Sequence, residues 1–287
     1  MNDIFSLRNQ RPEIGTRVYC ILSDERVFQS KSPVIFSTVM QRVGLKGIYV
    51  PLMVKPEKLG EAIHGLKVLN IAGANITVPY KESMIPFLDT LSESANIIGA
   101  INTIARDGDR LKGYNTNAIG LMDTFESIGF DPTGKTALVF GSGGAARSVT
   151  FILNWLRTNT VFIAARNIQK AERLAEKLGG MAVSLSELQE ESISAHIIVN
   201  ATSASGYHEA EGLDEVASSL NMSRCELLLD LNYGRSENFW KDLACSRGVR
   251  FMDGLSTLAN QAKRTFALWT GIQVDPAEFL RAMDGGV

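Results

Sequence analysis

The run Ala137-Leu138-Val139-Phe140-Gly141-Ser142-Gly143-Gly144-Ala145-Ala146 decides the fold. Four apolar residues make a short buried strand, glycines turn the chain, and an amphipathic stretch follows as a helix. Gly141 permits a tight turn. Gly143 lets the backbone come close to a pyrophosphate. The small residues Gly144, Ala145 and Ala146 let helix and sheet pack together. The helix N-terminus then offers free N–H groups and the positive end of its dipole to the phosphates. A glycine string alone is weak and also fits an ordinary turn. Here it stands between a strand and a helix in an alternating series, the context a dinucleotide site requires. Gly141, Gly143, Gly144 and Ala145 are therefore read as cofactor-binding.

The next strand, Val161–Ala165, selects the dinucleotide. NAD sites place an Asp or Glu about 20 residues on, to bind the ribose 2′-OH. Arg166 stands at the strand end instead, with Lys170 four residues later. A carboxylate repels a 2′-phosphate, whereas a guanidinium and an ammonium attract one. NADP is expected to bind better than NAD. The competing reading makes both cations solvated surface charges.

Outward from this unit, β-branched apolar runs alternate with amphipathic stretches, the pattern of an α/β protein with parallel strands. On the N-terminal side, strands are expected at Arg17–Ser23, Ile48–Val54 and Ala74–Val78. Helices are expected from Ser32 to about Val43 and from about Glu57 to Leu69. Ser32-Pro33 reads as a helix start with Ser32 as cap. Ile101–Tyr114 reads as a hairpin turning at Asp107-Gly108. After Asp131-Pro132 the expected strands are Ala137–Phe140, Val161–Ala165, Met181–Leu185, Ile197–Asn200 and Leu227–Leu231. A last long helix near Leu255–Thr270 carries one apolar stripe through Leu255, Leu258, Ala259, Ala262, Phe266 and Trp269. A chain of 287 residues has room for two domains, with the boundary in the helix Ala118–Ile128 or the turn after it.

Composition narrows the class. The chain is 45% hydrophobic and 21% charged, which excludes a disordered or collagen-like polymer. With 29 Lys+Arg against 31 Asp+Glu, it has no bulk charge to draw it to nucleic acid or an anionic membrane. Cys20, Cys225 and Cys245 lack disulfide or zinc spacing and read as free thiols of a reducing cytosol. His64, His196 and His208 share no ligand spacing, so no metal site is expected. The first residues hold no apolar leader, and no run is long enough to span a bilayer. A cytoplasmic protein is expected, with monomer and homodimer both open.

Polar residues gather where the N-terminal strands end: Ser30-Lys31-Ser32-Pro33, Asn75 to Lys81, Gly99 to Thr103 and Gly113 to Asn117. Hydroxyls, amides and one lysine suit a small, hydroxyl-rich, anionic substrate. Each taken alone also fits a cap or a turn.

Together these segments resemble the shikimate dehydrogenase family, including its quinate-using relatives. The resemblance runs through SKSP at 30–33, NITVPYK at 75–81, GAINT at 99–103, GYNT at 113–116, GSGGAAR at 141–147, ARNIQK at 165–170, NAT at 200–202, DLNY at 230–233 and DGL at 253–255. It continues through NQA and FALWTG near the end of the chain. It implies a substrate domain over residues 1–118 and 255–287, and a Rossmann-type NADP domain over 119–254 with the final helices returning to the substrate side. It further implies that Ser30 and Ser32 bind the substrate carboxylate, with Tyr233 near it and near the nicotinamide. Thr77, Asn102 and Gln261 would hold ring hydroxyls, and Lys81 would be the catalytic lysine. Arg166 would clamp the 2′-phosphate with Lys170 helping. Thr202 falls on the cofactor side, and Gly254 would approach the nicotinamide with its backbone.

The departures carry weight. The family pattern after GYNT is an aspartate that partners the lysine; Asn117 stands there. An amide can hydrogen-bond a hydroxyl, but it neither takes a proton at neutral pH nor carries charge. Without that carboxylate Lys81 is expected to have a lowered pKa. Ala165 replaces the asparagine before the arginine, Gly234-Arg235 replaces a proline-bearing turn, and Ser256-Thr257 replaces Gly-Met. Three readings follow: a shikimate-type dehydrogenase using NADP, with reversible 3-dehydroshikimate reduction; a paralogue acting on quinate or another hydroxylated ring acid; and a catalytically weak protein that binds NADP and a ring acid.

Overall fold

A computed structural model describes residues 15–190 and 193–283. The N-terminal stretch read as lacking a leader (1–14) lies outside the described residues. The first half runs β1 (Arg17–Ser23), α1 (Ser32–Arg42), β2 (Gly47–Met53), α2 (Leu59–Val68), β3 (Gly73–Ile76), β4 (Thr90–Leu91), α3 (Glu93–Ile98), β5 (Thr103–Asp107) and β6 (Arg110–Tyr114). Helix α4 (Thr116–Ser127) leads into the second half. There follow β7 (Thr136–Phe140), α5 (Gly144–Trp155), β8 (Thr160–Ala164), α6 (Ile168–Leu178), β9 (Met181–Val183) and α7 (Leu185–Glu190). The chain continues through β10 (Ile197–Asn200), α8 (Leu213–Ser218), β11 (Leu227–Asp230), α9 (Phe239–Ser246), β12 (Arg250–Met252), α10 (Leu255–Thr270) and α11 (Pro276–Met283).

The strands form two six-stranded sheets. The second, ordered β12-β11-β10-β7-β8-β9, is parallel throughout, with Ala137 paired to Ile197 on one side and to Val161 on the other. Its glycine turn leaves β7, near the middle of the sheet. The first sheet, ordered β2-β1-β3-β5-β6-β4, is mixed and contains the hairpin expected at Ile101–Tyr114. β5 runs antiparallel to β3 and pairs with β6 as a hairpin. Asp107-Gly108 reverses the chain from β5 to β6 in too few residues for a crossover helix.

Apolar layers cover both faces of each sheet. The stripe of α10 lies on the first sheet, where Ala259, Ala262, Phe266 and Trp269 join Tyr19, Ile35, Phe36 and Phe279. The chain therefore crosses to the second sheet and returns. Trp269 Nε1 donates to the Ile104 carbonyl at 2.9 Å and anchors the return. Across the junction, Arg264 of α10 grips Asp123 of α4 with two bonds of 2.8 and 2.7 Å, and Asn260 Nδ2 donates to Thr124 Oγ1 at 3.1 Å.

Ser32 does not cap α1. Lys31 occupies the cap position, and Ser30 Oγ accepts the Ser32 N–H at 3.2 Å. Proline at the second helical residue needs no N–H partner, so the start tolerates an uncapped lysine. Strand β12 and the two-residue β4 lie outside the strands expected from sequence.

Gly73 lies directly beneath the Trp269 ring, where a Cβ would clash. Gly73→Ala should cost about 1–3 kcal/mol by overpacking, read as a lower midpoint in denaturant unfolding with an unchanged slope.

Candidate active site

The glycine turn has the geometry its sequence asks for. Gly141 adopts φ +115°, a region that favours glycine, and a Cβ there would lie 3.0 Å from the Ala201 carbonyl. Its N–H donates to the Ala164 carbonyl at 2.8 Å, which draws the end of β8 to the turn. Gly143 caps α5 without any side-chain bond, and nothing lies within 4 Å of where its Cβ would be. Space is open beside Gly143 at the start of a 12-residue helix, whose first N–H groups have no acceptor within the helix. Arg166 follows Ala164 by two residues, and Lys170 sits in the first turn of α6; both side chains are exposed. Neither forms an ion pair with a described residue.

A cleft of about 280 Å³ opens between the two sheets. From the first sheet and its loops come Ser30, Ser32, Thr77, Lys81, Asn102 and Asn117. From the second come Ala145, Thr202, Tyr233 and Gly254, and from α10 comes Gln261. Gly141, Gly143, Gly144, Arg166 and Lys170 lie outside this cleft. Gly144 still touches its floor: a Cβ there would be 2.9 Å from Lys81 Cβ and 3.5 Å from Ala100 Cβ. The absence of a side chain at 144 is what lets the nucleotide turn and the lysine approach. The Lys81 carbonyl accepts from Ile101 N–H at 2.8 Å, and the neighbouring Glu82 pairs with Arg147 of α5 at 3.0 Å.

Among the described residues lining the cleft, Lys81 carries the only formal charge. Burial pushes its pKa from 10.5 down to about 8. The lowering matches the expectation, and its cause is desolvation that no lining carboxylate opposes. Burial also raises the Tyr233 phenol, which stays a neutral donor. Lys31, at the rim, stands 5.8 Å over the Tyr233 ring and joins the two sides of the cleft.

Asn102 sets the polarity of the wall. Its Oδ1 accepts the Thr116 backbone N–H at 2.7 Å, a contact that fixes which end of the amide is oxygen. Its Nδ2 therefore faces Thr116 Oγ1 at 2.8 Å, Asn117 Oδ1 at 2.9 Å and Gln261 Oε1 at 3.3 Å. The two hydrogens of that NH₂ are shared among three acceptors, with the Gln261 oxygen the farthest. The NH₂ groups of Asn117 and Gln261 take no partner among the described residues. Behind them Thr103, Thr116 and Thr265 interlock through their hydroxyls at 2.8–3.3 Å. Thr202 lines the cleft, but its hydroxyl already donates to Asn200 Oδ1 at 2.7 Å. Gly254 packs on the Leu231 carbonyl so closely that a Cβ has no room there.

Sequence reasoning missed Asn115 and Ser148. Asn115 Oδ1 accepts Ala118 N–H at 3.1 Å and caps α4. Its Nδ2 donates to the Ala100 carbonyl and to Ser148 Oγ of α5, each at 2.9 Å. An Asn just before a helical pattern is a readable cap signal; its reach to α5 is not.

Two α/β sheets sharing a cleft, with a glycine turn and helix N-terminus at one side and a lysine at the other, define a two-domain dehydrogenase with a Rossmann-type nucleotide sheet. Residues 23–104 match the family model for the shikimate dehydrogenase substrate binding domain, and residues 125–236 match that for shikimate / quinate 5-dehydrogenase. The chain belongs to the shikimate dehydrogenase family. It is 36% identical over 262 residues to the NADP(+) shikimate dehydrogenase of Caldanaerobacter subterraneus subsp. tengcongensis, covering 89% of this chain and 92% of that one. It is similar to the crystal structure of shikimate dehydrogenase from Aquifex aeolicus, with TM-score 0.82, 31% identity, and coverage of 93% and 97%. It is likewise similar to shikimate 5-dehydrogenase from Thermus thermophilus in complex with NADP(H) and shikimate, with TM-score 0.82, 30% identity, and coverage of 95% and 100%.

Gly144→Ala should push Lys81 away from the nucleotide turn. The expected result is a fall in turnover of about tenfold or more, since small misplacements of a reacting group are costly, with a melting temperature lowered by only a few degrees.

Proposed function

We propose that this chain is an NADP-dependent shikimate dehydrogenase that reversibly reduces 3-dehydroshikimate to shikimate. The observation that carries the reading is a cleft with one formal charge, the Lys81 ammonium, set against Gly144 of the nucleotide turn. A ring acid carries a carboxylate, hydroxyls and a reacting carbonyl, and the cleft offers partners for each. Ser30, Ser32 and Tyr233 hold the carboxylate; Thr77, Gln261 and Asn117 address the ring oxygens. Residues 1–118 and 255–287 form the substrate side and 119–254 the nucleotide side, working in the cytoplasm.

The residues present fit NADP. The open face at Gly143 leaves room for a diphosphate on the α5 N-terminus, and Arg166 with Lys170 offers unpaired cations to a 2′-phosphate. Bound NADP(H) supplies or receives the hydride. The chain's own residues do the rest. In reduction, Lys81 as ammonium hydrogen-bonds the ketone oxygen, stabilises the negative charge that grows there and gives it a proton. In oxidation the neutral Lys81 amine takes the proton from the ring hydroxyl. Asn117 orients the oxygen through its NH₂ and moves no proton.

Asn117 also favours a second reading. Where a carboxylate would accept from a ring hydroxyl, this amide donates, which suits a different hydroxylated ring acid such as quinate, or a site that binds and turns over weakly.

Three outcomes check the account. Arg166→Ala should raise the KM for NADP about tenfold and leave that for NAD nearly unchanged; equal effects on both would remove the arginine from the 2′-phosphate. Reduction needs the ammonium, so its rate should be flat below pH 8 and fall as pH rises through about 8, while oxidation rises through the same range. Asn117→Asp places a carboxylate beside Lys81, so both midpoints should move upward, with shikimate turnover rising at least about tenfold. Turnover on quinate alone supports the second ring acid. Tight binding without turnover in either protein supports the binding role.

A further inference from the structure

Three neighbouring strands of the second sheet, β10, β11 and β12, lead into residues that line the cleft. Thr202, Asn232 and Gly254 each stand two residues beyond the end of their strand. The middle one ties the other two together. On the β10 side, Asn232 Nδ2 donates to the Thr202 carbonyl at 3.0 Å. On the β12 side, the Asn232 carbonyl accepts the Gly254 N–H at 2.9 Å. The Thr202 carbonyl can only accept, so the nitrogen end of the amide is the one that faces it.

The brace is anchored from behind. The same nitrogen faces Ser205 Oγ at 2.9 Å and Asp230 Oδ1 at 3.0 Å, so its two hydrogens are shared among three acceptors. Asp230 is fully buried, and its two oxygens also accept from Asn200 Nδ2 at 2.9 Å, Asn232 N–H at 3.0 Å, Ser205 Oγ at 2.6 Å and Asn238 Nδ2 at 2.7 Å. A satisfied buried network of this kind favours one arrangement of its members. The contacts also continue sideways: a Cβ at Gly141 would lie 3.0 Å from the carbonyl of Ala201, the neighbour of Thr202. One row thus runs from the glycine turn through Thr202 and Asn232 to Gly254. We infer that Asn232 is a positioning residue for hydride transfer: its amide and its carbonyl hold Thr202 and Gly254 in register, and so fix where the nicotinamide half of NADP sits in the cleft. Arg166 and Lys170, on the β8 side, share no contact with this brace, so the adenosine half is held independently of it. This rests on the NADP-dehydrogenase reading above and deepens it.

The test separates the two halves of the cofactor. Calorimetry on the full chain measures binding of NADP and of adenosine 2′,5′-bisphosphate, which lacks the nicotinamide, alongside shikimate turnover and thermal melting. Asn232→Leu keeps the approximate shape and removes the amide; Asn232→Ala stands in for it if the leucine variant does not fold. Either should bind NADP about tenfold more weakly and turn over shikimate about tenfold more slowly, while binding the bisphosphate within about twofold of the unsubstituted protein. Ser205→Ala is the control. It takes one hydroxyl from the same buried network but leaves the bond to the Thr202 carbonyl, so it should lower the melting temperature and keep NADP binding within about twofold. Equal weakening of NADP and the bisphosphate in the Asn232 variants would overturn the assignment, since it would mean general damage to the sheet. So would an equal loss of NADP binding in Ser205→Ala. If the unsubstituted protein binds neither NADP nor the bisphosphate, the NADP reading itself fails; if it binds both and the Asn232 variants bind NADP as well as it does, only the role of Asn232 fails.

Discussion

A half-buried ammonium without a counter-charge governs this site. Lys81 stands in a cleft whose described lining has no carboxylate, and burial alone holds its pKa near 8. Charge in such a place is costly unless an anion or a strong acceptor arrives. The site is therefore incomplete without its ligand, and what completes it is an oxygen that carries or develops negative charge. A lysine balanced by aspartate would be less dependent on its substrate and less easily neutralised.

The fold exists around that lysine in a specific sense. Its backbone is held by Ile101, and its flank is tied to α5 through Glu82 and Arg147. Gly144 leaves room for Lys81, whose Cβ lies 2.9 Å from where a Cβ at 144 would be. Asn115 with Ser148, and Arg264 with Asp123, stitch the same junction from either side. These ties hold the N-terminal end of α5 and the Lys81 side chain at one cleft. Dehydrogenation of a ring alcohol needs that juxtaposition.

Much of this was legible in the residues. The strand–glycine–helix unit at Ala137–Ala146 defined the nucleotide sheet, because glycine placement and period-driven burial agree there. The apolar stripe of α10 announced a buried helix. The lysine and its polar neighbours were readable as residue types at strand ends. Other features were not readable, for physical reasons. Strand β12 has three residues with a charged one at its start, too few to show a period. The orientation of the Asn117 and Gln261 amides depends on one backbone N–H, that of Thr116, reaching Asn102 at the open end of the β5–β6 hairpin. No spacing rule predicts such a contact, yet it decides whether the cleft wall donates or accepts.

The direct test of the account is the protonation of that one amine. Nitrogen-detected NMR of the Lys81 side chain, assigned by loss of the signal in Lys81→Met, follows its charge as pH is raised. The account predicts a midpoint near 8 in the free protein, moving upward when a carboxylate is placed at position 117. A midpoint at the ordinary lysine value near 10.5 in the free protein would mean that the side chain is solvated outside the cleft, and would contradict the account.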